Sequence, residues 1–260
     1  MWQPDGWDAR ARIGVLTPHG DVGPESELQA MAPEGVRIHA SRVHFGAPHG
    51  GPTAPSIPLA PVRAFAEPPH VDEAARLLAA APMRSIAYAF TSSAFVIGPQ
   101  GEAEMLERLR KAASDIPVVA TCSAAVLGLR ALGVGELALV TPPWFDDELN
   151  ELGADYFDEQ GLETVFHASL GLPSSQRGIN PAELYDWIRR HVPARAEAVF
   201  IGGNGLRAVG VISALEQDLG RPVLTANQVL LWHALNEGGV RAPVTGYGCL
   251  FDARPSGASG

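Results

Sequence analysis

Four short stretches carry residue types from which an acid–base site could be assembled. Thr17-Pro18-His19-Gly20-Asp21 follows an apolar run and sets an imidazole two residues from a carboxyl. Such a pair can pass a proton to and from a substrate near neutral pH. Phe90-Thr91-Ser92-Ser93 ends a second apolar run. Its hydroxyls, with free amides at that turn, would cradle a small anion. Thr121-Cys122 opens a further helical pattern, and a helix N-terminus lowers a thiol's pKa toward the reactive thiolate. Gly202-Gly203-Asn204-Gly205 closes the run Ala198 to Ile201. Its glycines let a ligand approach the backbone, and amides at a following helix stabilise an anion.

Each stretch also has a plainer reading. Gly203-Asn204-Gly205-Leu206-Arg207-Ala208 fits the dinucleotide pattern G-x-G-x-x-G/A, or a simple strand-to-helix turn. The nucleotide reading needs an acidic residue at the end of the next strand. That strand, Pro222-Val223-Leu224, runs into Thr225-Ala226-Asn227-Gln228, without a carboxyl. A carboxylate ligand fits the loop as well as a phosphate. Hydroxyls such as those of Thr91 and Ser92 cap helices, a buried cysteine is commonly inert, and His19 with Asp21 can simply shape a turn. A serine hydrolase acting through Ser92 or Ser93 lacks the G-x-S-x-G elbow. His44, His49 and His70 read as scattered histidines, not a metal site. Cys249 reads as structural, and Arg207 as a solvated helix residue or a carboxylate partner.

The elements that must position these groups alternate. Strand-like runs at residues 12–16, 36–40, 85–89, 117–120 and 136–140 are separated by helical patterns at 71–81 and 102–114 and one ending at Leu132. The strands are apolar on both faces, as buried parallel strands are. The alternation predicts an α/β protein built on parallel sheets. Three landmarks recur in order: Val15-Leu16-Thr17-Pro18 as Leu139-Val140-Thr141-Pro142, Ala89 to Ser93 as Phe200 to Gly205, and Pro117 to Ser123 as Pro222 to Gln228. The repeat predicts two pseudo-symmetric, doubly wound halves whose strand ends face one interdomain cleft. Trp144 then lies in the loop that matches Thr17 to Asp21, where it could wall a pocket or donate its indole N–H. Residues 46–69 are too rich in proline and glycine for regular structure, and predict a binding loop or a solvated excursion.

Bulk properties narrow the partners. The chain has 260 residues, 46% hydrophobic and 18% charged, with a formal net charge of -10. That charge disfavours nucleic acid and anionic membranes. No apolar run approaches the about eighteen residues of a membrane span. The start, Met1 to Gly6, is polar and does not read as a signal peptide. Two cysteines provide no disulfide framework, and a cytoplasmic protein is expected. A homo-oligomer stays open.

Thr17-Pro18, Phe90-Thr91-Ser92, Phe200-Ile201-Gly202-Gly203 with Leu206-Arg207, and Arg221-Pro222-Val223 followed by Asn227-Gln228 and Trp232 to Leu235 resemble the aspartate/glutamate racemase superfamily. Within it they resemble the branch of maleate cis-trans isomerases and arylmalonate decarboxylases. The resemblance covers nearly the whole chain. It implies a site between two halves, acting on small carboxylates without cofactor or metal, and a last helix and strand that return to the first half. The halves are expected at 1–119 plus 232–260 and at 120–231. Members of the superfamily place a cysteine at the end of each buried strand; here Phe90 and Gly203 hold those positions. The expected proton carriers are then His19, Asp21 or Cys122. The expected substrate contacts are Thr17, Phe90, Thr91, Ser92, Ser93, Trp144, Gly203, Asn204 and Gly205. Asp21 stands where the family often has asparagine, and its carboxyl would repel an anion unless protonated or paired, which points away from maleate. Proton transfer of the isomerase or racemase kind is the first expectation. Decarboxylation, or another lyase reaction, is the second, and a non-catalytic carboxylate binder the third.

Overall fold

A computed structural model describes residues 5–7, 9–46 and 56–253. In chain order the elements are β1 (Ala11–Pro18), α1 (Gly23–Met31), β2 (Val36–Val43), α2 (Leu59–Phe65), α3 (His70–Ala79), β3 (Ser85–Tyr88), α4 (Thr91–Ala112), β4 (Val118–Ala120) and α5 (Thr121–Ala131). They continue with β5 (Glu136–Thr141), α6 (Asp147–Glu159), β6 (Glu163–Ser169), α7 (Pro181–His191), β7 (Ala198–Ile201), α8 (Ile212–Leu219), β8 (Val223–Thr225) and α9 (Ala226–Glu237).

The strands form two parallel four-stranded sheets with the same order, β2-β1-β3-β4 and β6-β5-β7-β8. The expected α/β fold of two pseudo-symmetric halves is therefore what the chain adopts. The apolar runs explain it: Ile13, Val15, Ile86, Leu139, Phe200 and Val223 are fully buried, as strands covered on both faces must be. Helix α9 packs on α1, α5, β3 and β4 of the first sheet, and the division expected at 231/232 falls inside it. Among the described residues no strand follows α9; residues 240–248 run on irregularly, so the returning strand is absent there. No helix among the described residues is long and apolar enough to cross a membrane.

Two further expectations need correction. The proline-rich segment contains a regular helix, α2. Pro58 precedes it and Pro61 lies in its first turn, where a missing N–H costs nothing because it has no intrahelical acceptor. The helix expected at 102–114 starts at Thr91, directly after β3, and is broken at Gly98, with φ 71°, before Pro99. That early start matters, because it brings the first amides of α4 to the sheet edge where a ligand would lie.

Candidate active site

The carboxyl ends of the central strands of both sheets face one another. Loops after β1, β3, β5 and β7 bound a small cleft. Its floor is polar: Thr91, Ser92, Gly203, Asn204 and Gly205. Its walls are apolar: Ile57, Phe90, Trp144 and Phe145. Asp21 and Gln176 complete the lining. The structure thus brings together Asp21, Phe90, Thr91, Ser92, Trp144, Gly203, Asn204 and Gly205 from the expected set. Ile57, Phe145 and Gln176 were not anticipated.

The floor is held by a hydrogen-bond network that spans the halves. Asn204 Oδ1 accepts from the Thr91 amide (2.9 Å) and from Thr91 Oγ1 (2.7 Å). Its Nδ2 donates to Thr121 Oγ1 (3.0 Å) and Asn227 Oδ1 (2.9 Å). The Gly203 amide donates to Thr91 Oγ1 at 3.1 Å. Asn227 Nδ2 donates to Glu27 Oε2 (2.8 Å), and Glu27 Oε1 accepts from the amides of Ala208 (2.7 Å) and Val209 (3.0 Å). Burial pushes the Glu27 pKa up, against the pull of Asn227 and the two amides. The amide of Asn204 is therefore committed to the frame, and Asn204 meets the cleft as part of its floor.

One polar group of the floor is not committed. Ser92 is buried, and its Oγ has no hydrogen-bond partner among the described residues. It sits in the first turn of α4, whose leading amides lack intrahelical acceptors and whose N-cap, Phe90, supplies no side-chain cap. A hydroxyl and a helix N-terminus together suit a carboxylate oxygen.

The two positions at which the resemblance led us to expect thiols, 90 and 203, are filled in different ways. Phe90 packs against Phe65 (4.6 Å between ring centroids) and Phe45 (5.2 Å). Gly203 has φ +90°, and a Cβ there would lie 2.2 Å from Cγ of Pro142. No side chain enters that position while Pro142 keeps its place.

Other expected residues lie elsewhere. Cys122 is fully buried, does not line the cleft, and sits 3.6 Å from the Thr91 carbonyl. Burial, and after it the Glu102 charge, push its pKa well up, so desolvation overrides the helix N-terminus that was expected to lower it. His19 is exposed and outside the cleft lining. Its Nδ1 accepts from the Phe45 amide (3.0 Å), and its ring stacks on His44 at 5.4 Å. Thr17 is buried off the lining, and its Oγ1 too has no partner among the described residues. Ser93 turns away from the cleft to the Tyr88 hydroxyl (2.8 Å). Trp144 walls the cleft, and its carbonyl accepts from the Ile57 amide at 3.0 Å.

His44 lies edge-on to His70 at 6.4 Å, and His49 lies outside the described residues. Among the described residues no three His, Cys, Asp or Glu side chains are placed to hold a metal ion. Arg207 is exposed. Cys249 donates to Glu216 at 3.2 Å, and burial pushes its thiol up to about 12.

Fold and site define a two-lobed α/β protein with a small polar-floored, apolar-walled cleft between the lobes. The chain belongs to the arylmalonate decarboxylase family, which it matches over residues 65–251. It is 32% identical over 168 residues to the arylmalonate decarboxylase of Bordetella bronchiseptica, spanning 62% of this chain and 68% of that protein. The fold matches the maleate isomerase of Pseudomonas putida S16, solved with maleate, at a TM-score of 0.82 and 22% identity, over 94% of this chain and 98% of that one. It also matches a Nocardia farcinica maleate cis-trans isomerase variant holding a covalently bound succinylcysteine intermediate, at 0.79 and 22% identity, over 93% and 98%.

Proposed function

We propose that the protein is a cofactor-independent enzyme that moves one proton at a carbon next to the carboxylate of a small substrate. Asp21 carries the proton. Ser92 Oγ and the amides of Ser92 and Ser93, which follow the Thr91 amide already given to Asn204, hold the carboxylate, or the enediolate formed from it, as an oxyanion hole does. The observation that carries this reading is the make-up of the cleft. Asp21 is the one titratable side chain lining it among the described residues, and it shares the cleft with the unpartnered Ser92 hydroxyl.

A single carrier suits decarboxylation best. The bond from the α-carbon to one carboxylate breaks and carbon dioxide leaves. The electron pair remains as an enediolate, and one proton from the Asp21 carboxyl completes the product; solvent then returns the proton to Asp21. The walls of Phe90, Trp144 and Phe145 favour a departing carboxylate that sheds its charge. Membership of the arylmalonate decarboxylase family supports this order. Isomerase-type proton transfer, the first expectation from sequence, is the second reading, supported by the similarity over 94% of the chain to the maleate isomerase of Geobacillus stearothermophilus. It needs the same carboxyl to serve both steps.

The test is proton NMR in deuterium oxide with phenylmalonate, maleate and a panel of small mono- and dicarboxylates. Wild type is expected to yield a product with one deuterium at the α-carbon. Asp21→Asn is expected to lose about 10²- to 10⁴-fold in rate, the usual worth of a general acid. Cys122→Ala is expected to retain turnover. Binding without turnover across the panel would replace the enzyme with a carboxylate-binding protein.

A further inference from the structure

Asp21 belongs to the first lobe by its backbone and to the second by its side chain. Its amide donates to the Pro18 carbonyl at 3.0 Å, and its carbonyl accepts from Arg42 at 2.8 Å, both within the first lobe. Its Oδ1 accepts from Gln176 Nε2 at 2.6 Å, across 155 residues of sequence. Gln176 sits on a single 3-10 turn, residues 176–178, between β6 and α7. It packs so closely over the glycine loop that a Cβ on Gly205 would lie 2.6 Å from Nε2 and 3.5 Å from Asp21 Oδ2. Both residues line the cleft.

We infer that Gln176 is the positioning residue of the proton carrier: its amide fixes the Asp21 carboxyl from the opposite lobe and sets which oxygen meets the substrate. The inference rests on Asp21 carrying the proton. A carboxyl on a loop after a strand otherwise has several rotamers, and holding one of them is what a neutral amide donor can do without adding charge. The charged and titratable neighbours on the first-lobe side are Arg42, which pairs with Glu25, and His19, two residues before Asp21. From the second lobe Gln176 faces it.

The experiment pairs 15N–1H spectra of the Gln176 side-chain amide, assigned with Gln176→Ala, with kinetics of wild type, Gln176→Ala and Gln176→Glu on whichever substrate turns over. The Gln176 amide resonances are expected to shift in Asp21→Asn, because the carboxylate that accepts from Nε2 is lost. In Gln176→Ala kcat is expected to fall about tenfold or more while KM changes little, and Gln176→Glu, which sets a second carboxyl where the donor stood, is expected to lose at least as much. Amide resonances that ignore Asp21→Asn, or wild-type kcat in Gln176→Ala, would overturn the inference. The reading of Asp21 as proton carrier fails on a different result, turnover that survives Asp21→Asn, and the amide spectra then still report on the Gln176 contact.

Discussion

The loops after β3 and β7 occupy the same place in two sheets of the same order, yet they differ in what they leave available. The β7 loop is pinned. Gly203 lies against Pro142, its amide is taken by Thr91, and the Asn204 side chain is hydrogen-bonded to Thr91, Thr121 and Asn227. The β3 loop keeps a buried hydroxyl without a partner at the open end of a helix. Duplicated architecture has therefore not produced duplicated surroundings. One loop is spent on the frame, and the other keeps an uncommitted hydroxyl.

If the β7 loop is a frame, filling its tightest point should cost the most. Gly203→Ala combines a positive φ, worth about 1–2 kcal/mol for a residue with a Cβ, with overpacking against a proline ring, worth about 1–3 kcal/mol. A loss of about 2–5 kcal/mol is expected in urea unfolding. Gly203→Cys should cost at least as much and should not create thiol chemistry. Wild-type stability in Gly203→Ala would break the comparison.

The network beneath the loop offers a subtler break. Glu27 accepts three donors, so Glu27→Gln sets an amide N–H₂ against a group that also donates. A loss of about 1–3 kcal/mol is expected from the unsatisfied pair. Adding Asn227→Asp lets a new carboxylate accept from the new amide, while it removes the donor to the Asn204 carbonyl at 3.0 Å. The double variant should lose less than the sum of the two single variants; additive losses would show that the carboxyl of Glu27 does not act through Asn227.

Glu102 joins the lobes deeper down. It lies on α4, accepts from the Tyr156 hydroxyl of α6, and receives the amides of Cys122 and Ser123 at the start of α5. Burial raises its pKa to about 7, above the unfolded value near 4.5. The native state therefore holds a proton that the unfolded chain releases as pH rises from about 4.5 to 7. The stability due to this group is complete below the unfolded pKa and is lost through pH 7, by about 3 kcal/mol in all. Glu27, also raised, tilts stability the same way, and His233, lowered by burial, opposes it below its ordinary value. The difference between wild type and Glu102→Gln across this range isolates the slope of Glu102, and identical slopes would remove the assignment.

Much of this was readable before any coordinates. Strands buried on both faces announce themselves as apolar runs, and the Thr-Ser-Ser and Gly-Gly-Asn-Gly stretches after them mark the cleft because strand ends of parallel sheets must face a ligand. What stayed hidden depends on distant chain. The sequence around Cys122 shows its helix end, a local property, while its environment is set by burial and by Glu102 twenty residues earlier. His19 shares a loop with Asp21, but the Phe45 amide and the His44 ring hold it outside. Gln176 and Ile57 come from irregular segments with no periodicity, so only the packed tertiary structure could place them. Asn204 was legible as a site residue but not as a fully bonded strut, because its partners, at 91, 121 and 227, are scattered along the chain.

The smallest expected change in stability is also the most informative about the β3 loop. Ser92→Ala removes a buried hydroxyl that makes no hydrogen bond in the free protein. An ordinary buried polar deletion strands a partner and costs about 1–3 kcal/mol; here no partner is stranded, and desolvation of the hydroxyl is relieved. Unfolding free energy should stay within about 0.5 kcal/mol of wild type or rise slightly. Affinity for phenylmalonate, read by calorimetry on the Asp21→Asn background to prevent turnover, should fall about tenfold, the equivalent of roughly 1.4 kcal/mol. A variant that loses stability but keeps affinity would place Ser92 in the frame with Asn204, and the division between the two loops would no longer hold.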